Sequence, residues 1–157
     1  MAYQIFAKGK EITGVESSII TSTSQWAIPV GDNSTLTGLS TTGFTITNNF
    51  GAPITMRVNL SLTNLVVGQT YTLNFTGTST PAGGYIAVNF LLYGETNPDN
   101  VTFTEISTSV YTLTKEFTAV ESSAIIEFRS YNGNDGDVFV GSGISVTTAG
   151  TGFNGVY

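Results

Sequence analysis

The sequence predicts an all-β protein: an antiparallel β-sandwich of jelly-roll type, seven to nine strands, with extended N- and C-terminal arms. Three observations lead there. Thr, Ser, Asn and Gly (26, 15, 12 and 18 residues) fill close to half of the 157 positions, a composition that favours strands and turns over helices. Apolar and polar residues alternate with a period of two along most of the chain, and no window carries a capped apolar stripe of helical period. Hydrophobic residues still make up 40%, including 10 Phe and 7 Tyr, so a chain of this length can bury the core of one domain.

The elements follow in order. Residues 1–24 read as an N-terminal arm, with Gly9, Gly14 and the polar run Thr21–Ser24 around short apolar patches at Ile5-Phe6 and Ile19-Ile20. The sandwich is assigned to residues 25–148. Trp26 sits in the apolar run Gln25–Val30 and reads as core rather than as a ligand platform. Clear alternation begins near Phe44 and Ile46. It continues through Ile54, Met56, Val58, Leu60 and Leu62, then through Tyr71, Leu73 and Phe75. Tyr85–Tyr93 is apolar on both faces except Asn89, as a central strand covered on two sides would be. Tyr111, Leu113 and Phe117 follow, then Ala124, Ile126 and Phe128, and finally Val138, Val140, Ile144 and Val146, where Gly141 and Gly143 mark a bulge. Turn chemistry separates these runs at Asn48–Pro53, Pro81–Gly84, Asn97–Asn100 and Asn132–Gly136. Residues 149–157 form a Gly-rich tail that nevertheless ends in aromatics. Ile5, Phe6, Ile19, Ile20, Phe153 and Tyr157 are therefore the candidate assembly contacts, whether on this domain or on a neighbour.

The inventory excludes several function classes. With neither Cys nor His, the chain has no disulfide framework, thiolate nucleophile or His-based triad, and none of the usual zinc or iron sites. Eleven acids against five bases give a net charge of −6, and the bases (Lys8, Lys10, Arg57, Lys115, Arg129) are expected to form no cluster beyond the first pair, so nucleic acid is not an expected partner. No stretch reaches the length of a membrane span or of a secretory signal, so no membrane partner is expected and the protein is expected to be made in the cytoplasm.

Three site chemistries remain. Glycoside hydrolysis needs two carboxylates, but Glu95, Asp99, Glu105, Glu116, Glu121 and Glu127 are scattered, and Glu116 and Glu127 read as solvated outward charges; no catalytic residue is assigned and the chain is not expected to be an enzyme. Asn132–Asp137 offers oxygen ligands to a hard cation, with Asp135 and Asp137 as the candidates, yet Asn-Gly and Asp-Gly are ordinary turn chemistry and need no metal. Sugar binding would stack rings on aromatics at strand ends, for which Tyr85, Tyr93 and Tyr131 are the candidates.

The middle of the chain carries a resemblance. Gly68-Gln69-Thr70-Tyr71-Thr72-Leu73-Asn74-Phe75 resembles the G-x-x-Y-x-L-x-F strand of galactose-binding-like jelly rolls, a group that includes several carbohydrate-binding modules. Tyr111–Thr118, Ala124–Phe128 and Gly136–Val140 leading into Ile144–Val146 resemble the strands that follow it. Where that group commonly has an acid that helps hold a structural calcium, Gly141-Ser142-Gly143 stands here, so no cofactor is expected. The same jelly roll recurs in bacteriophage tail fibres and capsid decoration proteins, which the low charge, the absence of Cys and His and the aromatic-tipped ends also resemble. The leading expectation is therefore a non-enzymatic virion structural protein, a homotrimer that cements a capsid or builds a tail fibre. The alternative is a carbohydrate-binding module for a cell-surface or matrix glycan.

Overall fold

The computed structural model describes residues 17–29, 34–79, 86–92, 95–96, 101–103 and 110–148. Among them lie eleven strands: β1 (Trp26–Ala27), β2 (Ser34–Ser40), β3 (Gly43–Asn48), β4 (Ile54–Thr63), β5 (Thr70–Ser79), β6 (Ile86–Leu92), β7 (Glu95–Thr96), β8 (Val101–Phe103), β9 (Tyr111–Thr118), β10 (Ser123–Gly133) and β11 (Val138–Thr148). Three are fragments of two or three residues, and the eight longer ones build the sandwich. Sheet A runs β1-β4-β10-β6-β7 with β8 also on β6, and sheet B runs β2-β3-β11-β5-β9. From β3 onward the long strands alternate between the sheets, every pairing is antiparallel, and the result is the jelly-roll sandwich that the composition predicts.

Alternation places the core between the sheets. Met56, Val58, Leu60 and Leu62 on β4 and Ile126 and Phe128 on β10 face Leu73 and Phe75 on β5 and Phe139, Ile144 and Val146 on β11, all fully buried. Phe44, Phe75, Phe128, Phe139 and Trp26 form a chain of ring contacts with centroids 4.9 to 6.5 Å apart. Trp26 is thus core, as its apolar neighbours predict. Gly143, at φ 59°, sits in the register shift between Ser142 and Ser145 of β11, so the bulge falls where the glycines mark it.

Two parts differ from expectation. Strand β2 has no apolar alternation in Ser34-Thr35-Leu36-Thr37-Gly38-Leu39-Ser40; it is an edge strand whose best-covered side chains are only half-buried, held by its ladder to β3. The second concerns the arm. Ladder pairs between β3 and β11 stop at Gly141, which leaves the strand edge near Val146 open. Residues 17–20 fill it: the Ile19 amide donates to the Val146 carbonyl at 2.8 Å, and the Val146 amide donates to Ser18 Oγ at 3.2 Å. Ile20 is buried in the core and Ile19 packs on it. These two assembly candidates are therefore used within the domain, because an open ladder edge and a core margin are both within their reach. Ile5, Phe6, Phe153 and Tyr157 lie outside the described residues.

Candidate functional site

The face of sheet A turned away from the core carries an unusual polar row. Along β10, Glu127, Arg129 and Tyr131 occupy alternate positions, so all three project from the same side, opposite Ile126 and Phe128. On β4, Arg57 and Asn59 do the same opposite Met56 and Val58. The β10–β4 register sets Glu127 beside Asn59 and Arg129 beside Arg57, and the β10–β6 register sets Asn89 on the other side of Glu127. Cross-strand partners in such pairs lie close enough for side chains to touch.

The contacts along β10 are specific. Arg129 Nε donates to Glu127 Oε1 in an ion pair, and Arg129 Nη1 donates to the Tyr131 hydroxyl at 3.1 Å. Glu127 is 3% exposed although it points away from the core. A carboxylate so covered is tolerated only with a charged partner, which Arg129 supplies. Burial acts against the charge of Arg129, but hydrogen bonds to Tyr131 and Glu127 and the field of the Glu127 carboxylate outweigh it and hold the guanidinium above its ordinary pKa. One row away, Asn59 Oδ1 is buried and accepts no hydrogen bond. The face thus combines a half-buried phenol ring and fixed guanidinium donors, a set suited to a ligand rich in hydroxyl groups.

Two sequence expectations are corrected here. Glu127 is not a solvated outward charge: it is buried and ion-paired with Arg129. The bases do form a second cluster: β4 and β10 bring Arg57 and Arg129 into direct register, a pairing invisible along the chain because some 70 residues separate them. Of the three ligand candidates, Tyr131 stands in this row, while Tyr85 and Tyr93 lie outside the described residues. Arg57, Asn59, Glu127 and Arg129 were not predicted as site residues; a period of two fixes each residue's face, but only knowledge of the β4–β10 pairing assembles them.

The remaining candidates have other roles. Asp135 Oδ1 accepts from the Gly51 amide at 2.9 Å, and Asp137 Oδ2 accepts from the Asn134 amide, so both carboxylates serve the turn, which Gly136 closes at φ 82°. Glu116 and Glu121 are exposed to solvent. A shallow groove of about 290 Å³ between the β2–β3 hairpin and the β11 bulge is lined by Leu39, Thr42, Ser142 and glycine backbone, and none of its lining side chains is charged.

Comparison with solved structures relates the fold to sugar-binding domains. The carbohydrate-binding module TmCBM61, in complex with β-1,4-galactotriose, superposes with a TM-score of 0.56 at 15% identity, over 80% of this chain and 90% of that one. The N-terminal cellulose-binding domain of the Cellulomonas fimi β-1,4-glucanase C gives a TM-score of 0.53 at 15% identity, over 86% and 95% of the two chains. The enzymatically active domain of tailspike protein 4 from bacteriophage CBA120 gives 0.52 at 16% identity, over 85% of this chain but 20% of that one. At such identities the likeness is one of fold. No family model and no curated protein matches the sequence.

Proposed function

We propose that this protein is a non-catalytic carbohydrate-binding module whose glycan lies across the outward face of sheet A. The observation that carries the reading is the Glu127–Arg129–Tyr131 row, in which a buried carboxylate holds a partly exposed guanidinium beside an aromatic ring, on a face that the core does not use. Fold likeness to TmCBM61 and to a cellulose-binding domain supports it. In this reading Tyr131 offers a ring to a sugar face, and Arg129 donates hydrogen bonds to its hydroxyls. Glu127 is a positioning residue that holds the guanidinium in place. A glycan panel read by affinity electrophoresis tests it: Tyr131→Ala is expected to weaken the best ligand about tenfold or more, whereas Thr112→Ala on exposed β9 leaves it unchanged. Equal loss from both variants, or none from either, contradicts the assignment of the face.

The virion reading stands second. One observation favours it: the outward face of sheet B is built from Thr45, Thr47, Thr72, Thr76, Thr112 and Thr114, with Glu116 beside them, a polar but charge-poor surface fit for repeated subunit contacts. A trimer in light scattering of the full chain supports assembly as a virion component, and a monomer that binds a glycan removes it.

A further inference from the structure

The end of the sandwich where β4 passes to β5 and β9 to β10 is apolar. Val66 and Val67 in the first turn keep 64% and 63% of their surface exposed, and Val120 in the second keeps 54%. Backbone bonds clamp the two turns together. The Leu65 amide donates to the Ser122 carbonyl at 2.9 Å, the Gly68 amide to the Ala119 carbonyl at 2.7 Å, and the Ala119 amide to the Gln69 carbonyl at 3.0 Å. Leu65 is buried beneath them, and the Val66 amide donates to the Tyr71 hydroxyl at 2.9 Å. The Gln69 amide closes a tight turn on the Val66 carbonyl at 3.0 Å, with Gly68 at φ 83°. Asn64 is held at φ 60°, a conformation that costs free energy in any residue but glycine. Apolar side chains gathered and held in this way mark a contact surface. Strand β11 leaves the sandwich at the same end, since its last residue, Thr148, pairs with Tyr71. The chain continues from there through residues 149–157, with Phe153, Val156 and Tyr157 set among Gly, Thr and Asn. An extended chain spans at most about 3.5 Å per residue, so Phe153 can reach a point about 17 Å from Thr148.

We infer that Val66, Val67 and Val120 seat residues 149–157 of a second copy of this chain, in a two-fold dimer whose subunits meet end to end and exchange these segments. The single chain leaves the three valines open, so the cover comes from outside it. Three valines fall well short of the about 800 Å² that each partner buries in a stable interface, and Phe153 and Tyr157 supply apolar area of the kind that interfaces favour. Residues 149–157 contain no Asp, Glu, Lys or Arg, so their transfer adds no repulsion between two copies of a protein of net charge −6. Because the seat and the start of the segment share one end of the sandwich, the exchange is reciprocal and closes on itself; at opposite ends it would propagate as an open chain. The inference goes beyond the glycan reading and does not rest on it.

Light scattering of the full chain over a dilution series tests it. A dimer that dissociates on dilution is expected. Val67→Asp, and separately the double variant Phe153→Ala with Tyr157→Ala, should each raise its dissociation constant about tenfold or more. Val110→Asp is the control: Val110 is 62% exposed at the start of β9, at the opposite end of the sandwich, and its loss should change nothing. Circular dichroism checks the fold of each variant. Should Val67→Asp not fold, cysteine pairing decides, since the chain has no Cys of its own. Val67→Cys chains mixed with Phe153→Cys chains should form a mixed disulfide faster than Val110→Cys chains do with the same partner. A monomer at every concentration overturns the inference, as does a trimer. A dimer indifferent to Val67→Asp or to the aromatic double variant, or one lost with Val110→Asp, overturns it equally. None of these outcomes touches the glycan reading, which the glycan panel tests by itself.

Discussion

Asn48 holds a corner of the sandwich with a single side chain. Its Nδ2 donates to the carbonyls of Ala52 and Gly133, each at 2.8 Å, and its Oδ1 accepts from the Phe50 amide at 2.9 Å. Its own backbone meets Asp137 and Gly136, so one buried residue ties the end of β3 to the turn before β4 and to the turn between β10 and β11. Asn48→Ala strands two carbonyls and an amide, and a loss of about 2–3 kcal/mol is expected in urea denaturation; a loss below about 0.5 kcal/mol would show that the corner is held by the backbone alone. Gly141 poses a different constraint. A Cβ there would lie 2.6 Å from Cζ of Phe44, in the middle of the aromatic core. Gly141→Ala is expected to cost about 1–3 kcal/mol by overpacking, read as a lower melting temperature. Neither constraint was legible in the sequence. Asn48 read only as turn chemistry and Gly141 only as a bulge marker, because the partners of both are distant along the chain.

At the scale of elements, the edge strands separate what patterning reveals from what it hides. Strand β9 closes sheet B with Thr112, Thr114, Glu116 and Thr118 outward, and Tyr111, Leu113 and Phe117 toward the core. Lys115 falls on the inward side, half-buried, where an apolar residue would fit the pattern. A charge turned inward on an edge strand deters another chain from adding to the ladder. Lys115→Val is therefore expected to raise aggregation on heating without lowering the melting temperature, measured by scattering during a thermal ramp. Unchanged scattering would mean that the edge is protected in some other way. Strands β3, β4, β5, β9 and β11 were each legible from alternation, since burial of one sheet face imposes a period of two, and β6 from a run apolar on both faces. Strand β2 was not, because an edge strand half-covered on its better side needs few apolar residues. Strand β10 runs on past Arg129 to Gly133 through a register shift near its end, which no propensity rule marks.

For the whole molecule, the sandwich followed from composition and period, while the proposed binding face depended on which strands became neighbours. Tyr131 was the part of the site that chemistry alone could nominate, as an aromatic at the edge of a turn. Arg57, Asn59, Glu127 and Arg129 became a site only once β10 lay against β4. The same pairing brings two of the five basic residues of a protein with net charge −6 into register. Strand order sets the sheet, and the outward residues are free to change without changing the fold. In the proposed reading, the outward face of sheet A binds glycan. Amide chemical-shift mapping of the labelled full chain during titration with the best glycan of the panel tests it most directly. Saturable shifts concentrated at residues 57, 59, 127, 129 and 131 are expected, with the threonine face of sheet B silent. Shifts centred on sheet B, or a spectrum that no glycan alters, would contradict it.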